Sequence, residues 1–127
     1  MKEGDVVLTP VPQADGSIKN RPAILLREFA PYKDFLVCGV STQLRQEVKS
    51  FDEVVSTSDD DFTISGLKSD SLIRLGFLAM LPSAKIAGSI GAISSERHER
   101  LLKSLADSDE RSEAVNKAPL IFAKLAA

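Results

Sequence analysis

Arg21, the Ser41-Thr42-Gln43 cluster and Arg74 are the residues whose types and settings can do chemistry on a charged ligand. Arg21 stands in Lys19-Asn20-Arg21-Pro22, a polar turn that runs straight into the apolar Ala23-Ile24-Leu25-Leu26. A proline fixes its own φ and biases the preceding residue toward extended backbone, so Arg21 is expected at a stiff strand entrance. A guanidinium held there offers a planar fork of donors that suits a phosphate. Taken alone, the stretch has a simpler reading, an arginine capping a strand edge in solvent. Ser41-Thr42-Gln43 closes an apolar run with three hydrogen-bonding side chains. Arg74 falls in the middle of the long stretch 71–82, either as a surface arginine with a snorkelling stem or as a site residue.

Other reactive types count for less. Cys38 is the single cysteine and lies inside an apolar run, as a small core residue does. With no internal disulfide available, a reducing cytoplasm is the fitting compartment. One cysteine and one histidine make no zinc ligand set, and no metal or other cofactor is expected. His98 sits among Glu96, Arg97, Glu99 and Arg100, where a solvated histidine is expected. Asp59-Asp60-Asp61 could suggest a metal site, but successive side chains diverge, and carboxylates near a helix start have a capping role to fill. A net charge of −2 argues against broad non-specific nucleic-acid binding without excluding a local basic groove.

The elements that must hold these residues are mostly strands. A chain of 127 residues suffices for one domain with a real core and is short for two. Residues 4–9 read as a first strand, stopped by Pro10 and Pro12. A polar turn fills 13–20, with Asp15-Gly16-Ser17 at its tip. Strands follow at 22–27 and 35–40, both apolar on two faces. Residues 44–50 read as an exposed connection, 51–56 as a short strand and 57–62 as a helix start. The stretch 71–82 is the longest strand, with Ile73, Leu75, Phe77, Ala79 and Leu81 alternating onto one face. A strand at 85–90 precedes a helix capped by Ser94 or Ser95 and running to about 106, with Leu101, Leu102 and Leu105 as its apolar stripe. Residues 107–127 change character and form a tail, helical or disordered. The start is no signal peptide, and no apolar run is long enough to span a bilayer.

In this order the pieces resemble one family. Gly4-Asp5-Val6-Val7-Leu8, Lys19-Asn20-Arg21-Pro22-Ala23-Ile24-Leu25-Leu26, Gly39-Val40-Ser41-Thr42-Gln43, Asp61-Phe62, Gly66-Leu67-Lys68-Ser69-Asp70-Ser71-Leu72-Ile73-Arg74-Leu75 and Ile90-Gly91-Ala92-Ile93-Ser94 are arranged as in the MazF/PemK toxins of bacterial toxin–antitoxin pairs. The resemblance spans roughly residues 2–106. It implies a mainly β fold with peripheral helices: a small, strongly bent antiparallel barrel of SH3-like type, as in MazF, PemK and CcdB toxins, with a C-terminal helix. It implies a single domain over 1–106, a homodimer, a cytoplasmic location and a cognate antitoxin, with operator DNA reached only through that antitoxin. It also implies metal-independent cleavage of single-stranded RNA. Family catalytic residues map onto Arg21, Ser41 and Arg74. Lys19, Asn20, Thr42, Gln43 and Asp70, which lie beside them in the motifs, are expected to contact substrate. Two positions depart from the family: threonine is commoner where Ser41 stands, and some members carry an acid where Gly76 stands.

The chemistry so implied asks little of the protein. RNA brings its own nucleophile, the 2′-OH. Cleavage needs that hydroxyl deprotonated, the phosphorane's charge held and the leaving 5′-oxygen protonated. A histidine pair is impossible with one histidine, so acid and base must be Arg, Asp, Ser or the substrate itself. The rival readings are a barrel that poisons DNA gyrase, and a non-catalytic barrel that binds an antitoxin or RNA without cutting.

Overall fold

The computed structural model describes residues 1–108. From residue 109 onward the tail expected at 107–127 lies outside the described residues. Six strands, β1 (Asp5–Pro12), β2 (Ile18–Phe29), β3 (Asp34–Ser41), β4 (Glu53–Val55), β5 (Ser71–Pro82) and β6 (Gly88–Ala92), are joined by turns and loops; the short helix α1 (Phe62–Ser65) lies between β4 and β5, and α2 (Ser95–Ala106) follows β6. They form one curled antiparallel sheet, a half-barrel, in the order β4-β5-β3-β2-β1-β6.

Strand alternation divides the core between the two faces. Val6, Ile24 and Cys38 lie side by side across β1, β2 and β3 and join Leu26, Phe51, Val55, Ile73, Leu75, Leu78, Ile93 and Leu101 in one cluster closed by α2. The neighbouring positions Val7, Ala23, Leu25, Val37, Phe35, Ala79, Leu81 and Ile86 make a second cluster on the opposite face. Both apolar faces are thus covered within one chain. Cys38 is fully buried in the first cluster, and burial pushes its thiol pKa well above the usual range.

Two prolines do not end β1. The strand continues to Pro12, with Pro10 opposite Asn20 and Pro12 opposite Ile18. Leu8 turns its carbonyl to Ala87 on the β6 side, so Pro10 and Pro12 share that side, where pairing with β6 has stopped at Leu8. No ladder bond there needs the N–H that proline lacks. The turn is accordingly shorter than 13–20. The Gln13 N–H donates to the Ser17 carbonyl at 2.7 Å, and β2 begins at Ile18.

β5 departs from simple alternation. Cys38 pairs with Leu78 and Gly39 with Arg74, so one step on β3 spans four on β5. The odd number of extra residues reverses the phase. Ile73 and Leu75 therefore join the α2-side cluster, Ala79 and Leu81 the opposite one, and the five do not share a face.

The polar residues around α2 also differ from expectation. Ser94 caps the helix, its Oγ accepting from the Arg97 N–H at 3.1 Å. Asp61 precedes α1 but makes no side-chain cap there. Its carboxylate instead takes the Arg97 Nε at 2.8 Å and the Ser94 N–H at 3.0 Å. Arg97 is 6% exposed and also donates to Glu53, the Val54 carbonyl and Asp59, so a single guanidinium clasps α2 to β4 and the segment before α1. The Arg97 hydrogen bond, outweighing the penalty of burial, holds the Asp61 carboxyl down at about 2. His98 is partly buried and held rather than freely solvated: its Nε2 donates at 2.9 Å to the carbonyl of Leu26, the residue that β2 leaves unpaired at its bulge opposite β3.

Candidate functional site

The cleft begins where the β2–β3 ladder stops. Ala23↔Gly39 is the last pair, and Pro22, next along β2, has no N–H with which to extend it. β3 continues to Ser41, paired with Leu72 of β5. The entrance of β2 and the end of β3 part there, leaving a cleft of about 460 Å³. Thr9 and Val11 of β1, Arg21 and Ala23 of β2, and Val37, Gly39 and Ser41 of β3 line it. Pro22 and Val40 also reach the lining, but these seven are alternate residues of each strand, continuing the face of the second apolar cluster. The floor is therefore built on buried packing, and only its outer end is polar.

Each polar group has a local cause for its position. The Thr9 hydroxyl donates to the Arg21 carbonyl at 3.2 Å, fixing the backbone from which the exposed Arg21 side chain rises. Ser41 Oγ accepts from the Gln43 N–H at 3.0 Å, a side-chain turn that bends Thr42 and Gln43 around the cleft end and leaves the Ser41 O–H free to donate. Arg74 borders the β5 bulge and Phe77 is its last residue before Leu78. The Leu75 N–H is taken by Asp52 Oδ1 at 3.0 Å, while Asp52 Oδ2 accepts from the Val48 N–H at 2.9 Å. Asp52 is 7% exposed; it pins the bulge from behind. Gly39 makes room for the Phe77 ring, since a Cβ on Gly39 would come within 2.7 Å of it. The Arg74 guanidinium stands over that ring, 5.6 Å from its centroid, a cation–π separation.

Five of the eight expected site residues, Arg21, Ser41, Thr42, Gln43 and Arg74, line this one cleft. Lys19 and Asn20 are exposed on β2 outside its lining, and Asn20 has the opposite strand parity to Arg21. Asp70 lies elsewhere, its Oδ1 accepting from the Thr57 N–H at 2.8 Å. Thr9, Ser71, Phe77 and Asp52 escaped the sequence reading. Phe77 could have been suspected as an apolar residue close to Arg74; the role of Asp52 depends on a bulge that only the register shows.

The electrostatics are one-sided. Among the described residues, the charged groups lining the cleft are Arg21 and Arg74, and neither is in an ion pair. No carboxylate, imidazole or thiolate lines it, so it offers a divalent cation no charged ligand. Such a lining suits an anion with apolar parts.

The family model of the PemK-like, MazF-like toxins of type II toxin–antitoxin systems matches residues 2–108. The chain belongs to that family. MazF-like toxins act within toxin–antitoxin systems, which gives this chain an antitoxin as partner. Among solved structures it is similar to the Mycobacterium tuberculosis toxin MazF-mt6, with 15% sequence identity, a TM-score of 0.60, and coverage of 84% of this chain and 96% of that one. The likeness shows that the half-barrel is the MazF fold. No curated protein matches the chain. No helix among the described residues is long and apolar enough to cross a membrane.

Proposed function

We propose that this MazF-like toxin is a metal-independent endoribonuclease that cuts single-stranded RNA in the Arg21–Arg74 cleft and so inhibits growth. The observation that carries this reading is the meeting of two arginines outside any ion pair and the Ser41 hydroxyl in a cleft that, among the described residues, has no acidic lining side chain. A phosphodiester in the cleft receives charged hydrogen bonds from Arg21 and Arg74, each contributing about 1.5–3 kcal/mol. Ser41, with its lone pair turned to Gln43, donates its proton to a phosphate oxygen. The 2′-oxygen loses its proton and attacks phosphorus, the bond from phosphorus to the 5′-oxygen breaks, and that oxygen takes up a proton. The products carry 2′,3′-cyclic phosphate and 5′-hydroxyl ends.

The cleft supplies charge and orientation rather than a strong base. Among the described residues its lining holds neither histidine nor carboxylate, and an arginine is a poor proton donor because its pKa is above about 12. The 2′-OH proton therefore passes to a phosphate oxygen of the substrate or to water, and rates are modest. Gly76 offers no acid in the β5 bulge.

The antitoxin segment that neutralises this protein is acidic and apolar, becomes ordered over the cleft and competes with RNA for both arginines. Operator DNA is contacted through the antitoxin. The active form is a cytoplasmic homodimer. That expectation rests on the family, since the apolar faces of the strands are closed within one chain. The test is incubation of the purified protein with RNA of mixed sequence in EDTA, followed by mapping of the cut ends. Discrete cuts with cyclic phosphate ends support the reading. Intact RNA that is nevertheless bound would assign the cleft to a non-catalytic barrel, and loss of all activity in EDTA would assign a metal mechanism.

A further inference from the structure

Phe77 breaks the pattern of its strand. Its neighbours Leu75 and Leu78 are buried, whereas Phe77 is 41% exposed and, among the described residues, is the one aromatic residue lining the cleft. The exposure is built in. The three extra residues of the β5 bulge carry Phe77 out of the core alternation, Asp52 holds the bulge backbone, and the ring rests where Gly39 has no side chain. An aromatic ring kept in solvent loses the benefit of burial, so a supported and half-exposed ring beside an unpaired cation invites a ligand with both a flat apolar face and a negative charge.

We propose that Phe77 is a base-stacking platform, taking the base of the nucleotide whose phosphate is held by Arg74. This rests on the reading of the cleft as an RNA site and adds to it the contact that selects single strands. In a duplex the base faces are hidden by stacking and pairing. A single strand can turn one base onto an aromatic side chain, and such stacking is largely independent of base identity. In the free protein the Arg74 guanidinium lies over the ring, 5.6 Å from its centroid; the base takes that place on the ring as Arg74 turns to the phosphate. Base specificity then has to come from groups that read base edges, and Gln43 and Thr42 at the cleft end are placed for that.

The chain contains no tryptophan, so Phe77→Trp introduces a unique fluorescent reporter on the platform. The probes are short single-stranded RNAs of mixed sequence with 2′-O-methyl sugars, which cannot be cut, and the same strands with one abasic position moved along them. Phe77→Trp should bind the intact strands with quenched emission. Phe77→Ala should bind them roughly 5- to 100-fold more weakly than wild type. Phe77→Leu, which keeps an apolar side chain but no ring, should resemble Phe77→Ala. One abasic position should weaken wild-type binding and leave Phe77→Ala unaffected, a coupling that a structural role of Phe77 would not produce. Unchanged affinity in Phe77→Ala with its fold intact by circular dichroism would overturn the proposal. So would unquenched tryptophan emission on a strand still bound through Arg21. A variant that loses only antitoxin affinity would assign the ring to protein docking and likewise overturn it. If the wild type binds none of these strands, the RNA reading of the cleft falls with it.

Discussion

Arg97 and Arg100 lie three residues apart on α2 and both donate to Glu53, yet they should differ widely in what they contribute to stability. The Arg97 side chain is 8% exposed and contacts Asp61, whose side chain is 5% exposed, together with Asp59 and Glu53. The Arg100 side chain is 55% exposed. Arg97→Ala strands the buried Asp61 carboxylate without its counter-charge, a change that costs about 3–5 kcal/mol. Arg100→Ala removes a surface pair that contributes about 0–1 kcal/mol. At about 4 °C per kcal/mol for a domain of this size, Arg97→Ala should melt about 12–20 °C below wild type, and Arg100→Ala within about 4 °C of it. The pH dependence has a defined sign. Asp61 is held at about 2 in the folded chain against a usual 3.8, which corresponds to about 2 kcal/mol of stability. A carboxyl depressed by folding contributes fully above the unfolded value and loses its contribution as pH falls toward the folded one. The gap between wild type and Arg97→Ala should therefore be full at neutral pH and narrow between about pH 4 and pH 2. Thermal unfolding followed by circular dichroism across that range measures it. Equal melting temperatures for Arg97→Ala and Arg100→Ala, or a gap that widens in acid, would refute the clasp.

Two further outcomes follow from the packing. Cys38→Ala should lower the melting temperature and spare RNA cleavage, and the native thiol should react with a disulfide reagent only in denaturant, because Cys38 is wholly buried with a raised thiol pKa. Asp52→Ala leaves the Leu75 and Val48 N–H groups without their shared acceptor; it should cost about 1–3 kcal/mol in chemical denaturation and reduce cleavage by more than its unfolded fraction explains, because Arg74 and Phe77 lose their support.

The parts of the site legible in the sequence were those with a local cause. Pro22 stiffens the entrance that carries Arg21, and the polar cluster closing an apolar run marked Ser41 at the end of β3. Ser94 before the leucine stripe located α2. What stayed hidden depends on partners distant in the chain. Arg97 looks solvated in a string of charged residues, and its burial is decided by carboxylates 36 and 44 positions away. The phase reversal in β5 exists only in its register with β3, so alternation alone set Phe77 and Arg74 on opposite faces, although both line the cleft, and gave no reason to notice Asp52. Pro10 and Pro12 stop a strand only where the ladder needs their N–H, and which side of β1 lies unpaired is a property of the whole sheet.

The central claim is that the two arginines of the cleft hold the charge of a scissile phosphate. The direct measurement is the rate of RNA cleavage in EDTA by wild type, Arg21→Lys and Arg21→Ala, with circular dichroism confirming that all three are folded. The account predicts cuts ending in 2′,3′-cyclic phosphate for wild type, a loss of about 10²–10³-fold or more for Arg21→Ala as expected for removing a donor to a developing oxyanion, and little recovery in Arg21→Lys, because a point charge does not replace a bidentate fork. Cleavage by Arg21→Ala at the wild-type rate would contradict it.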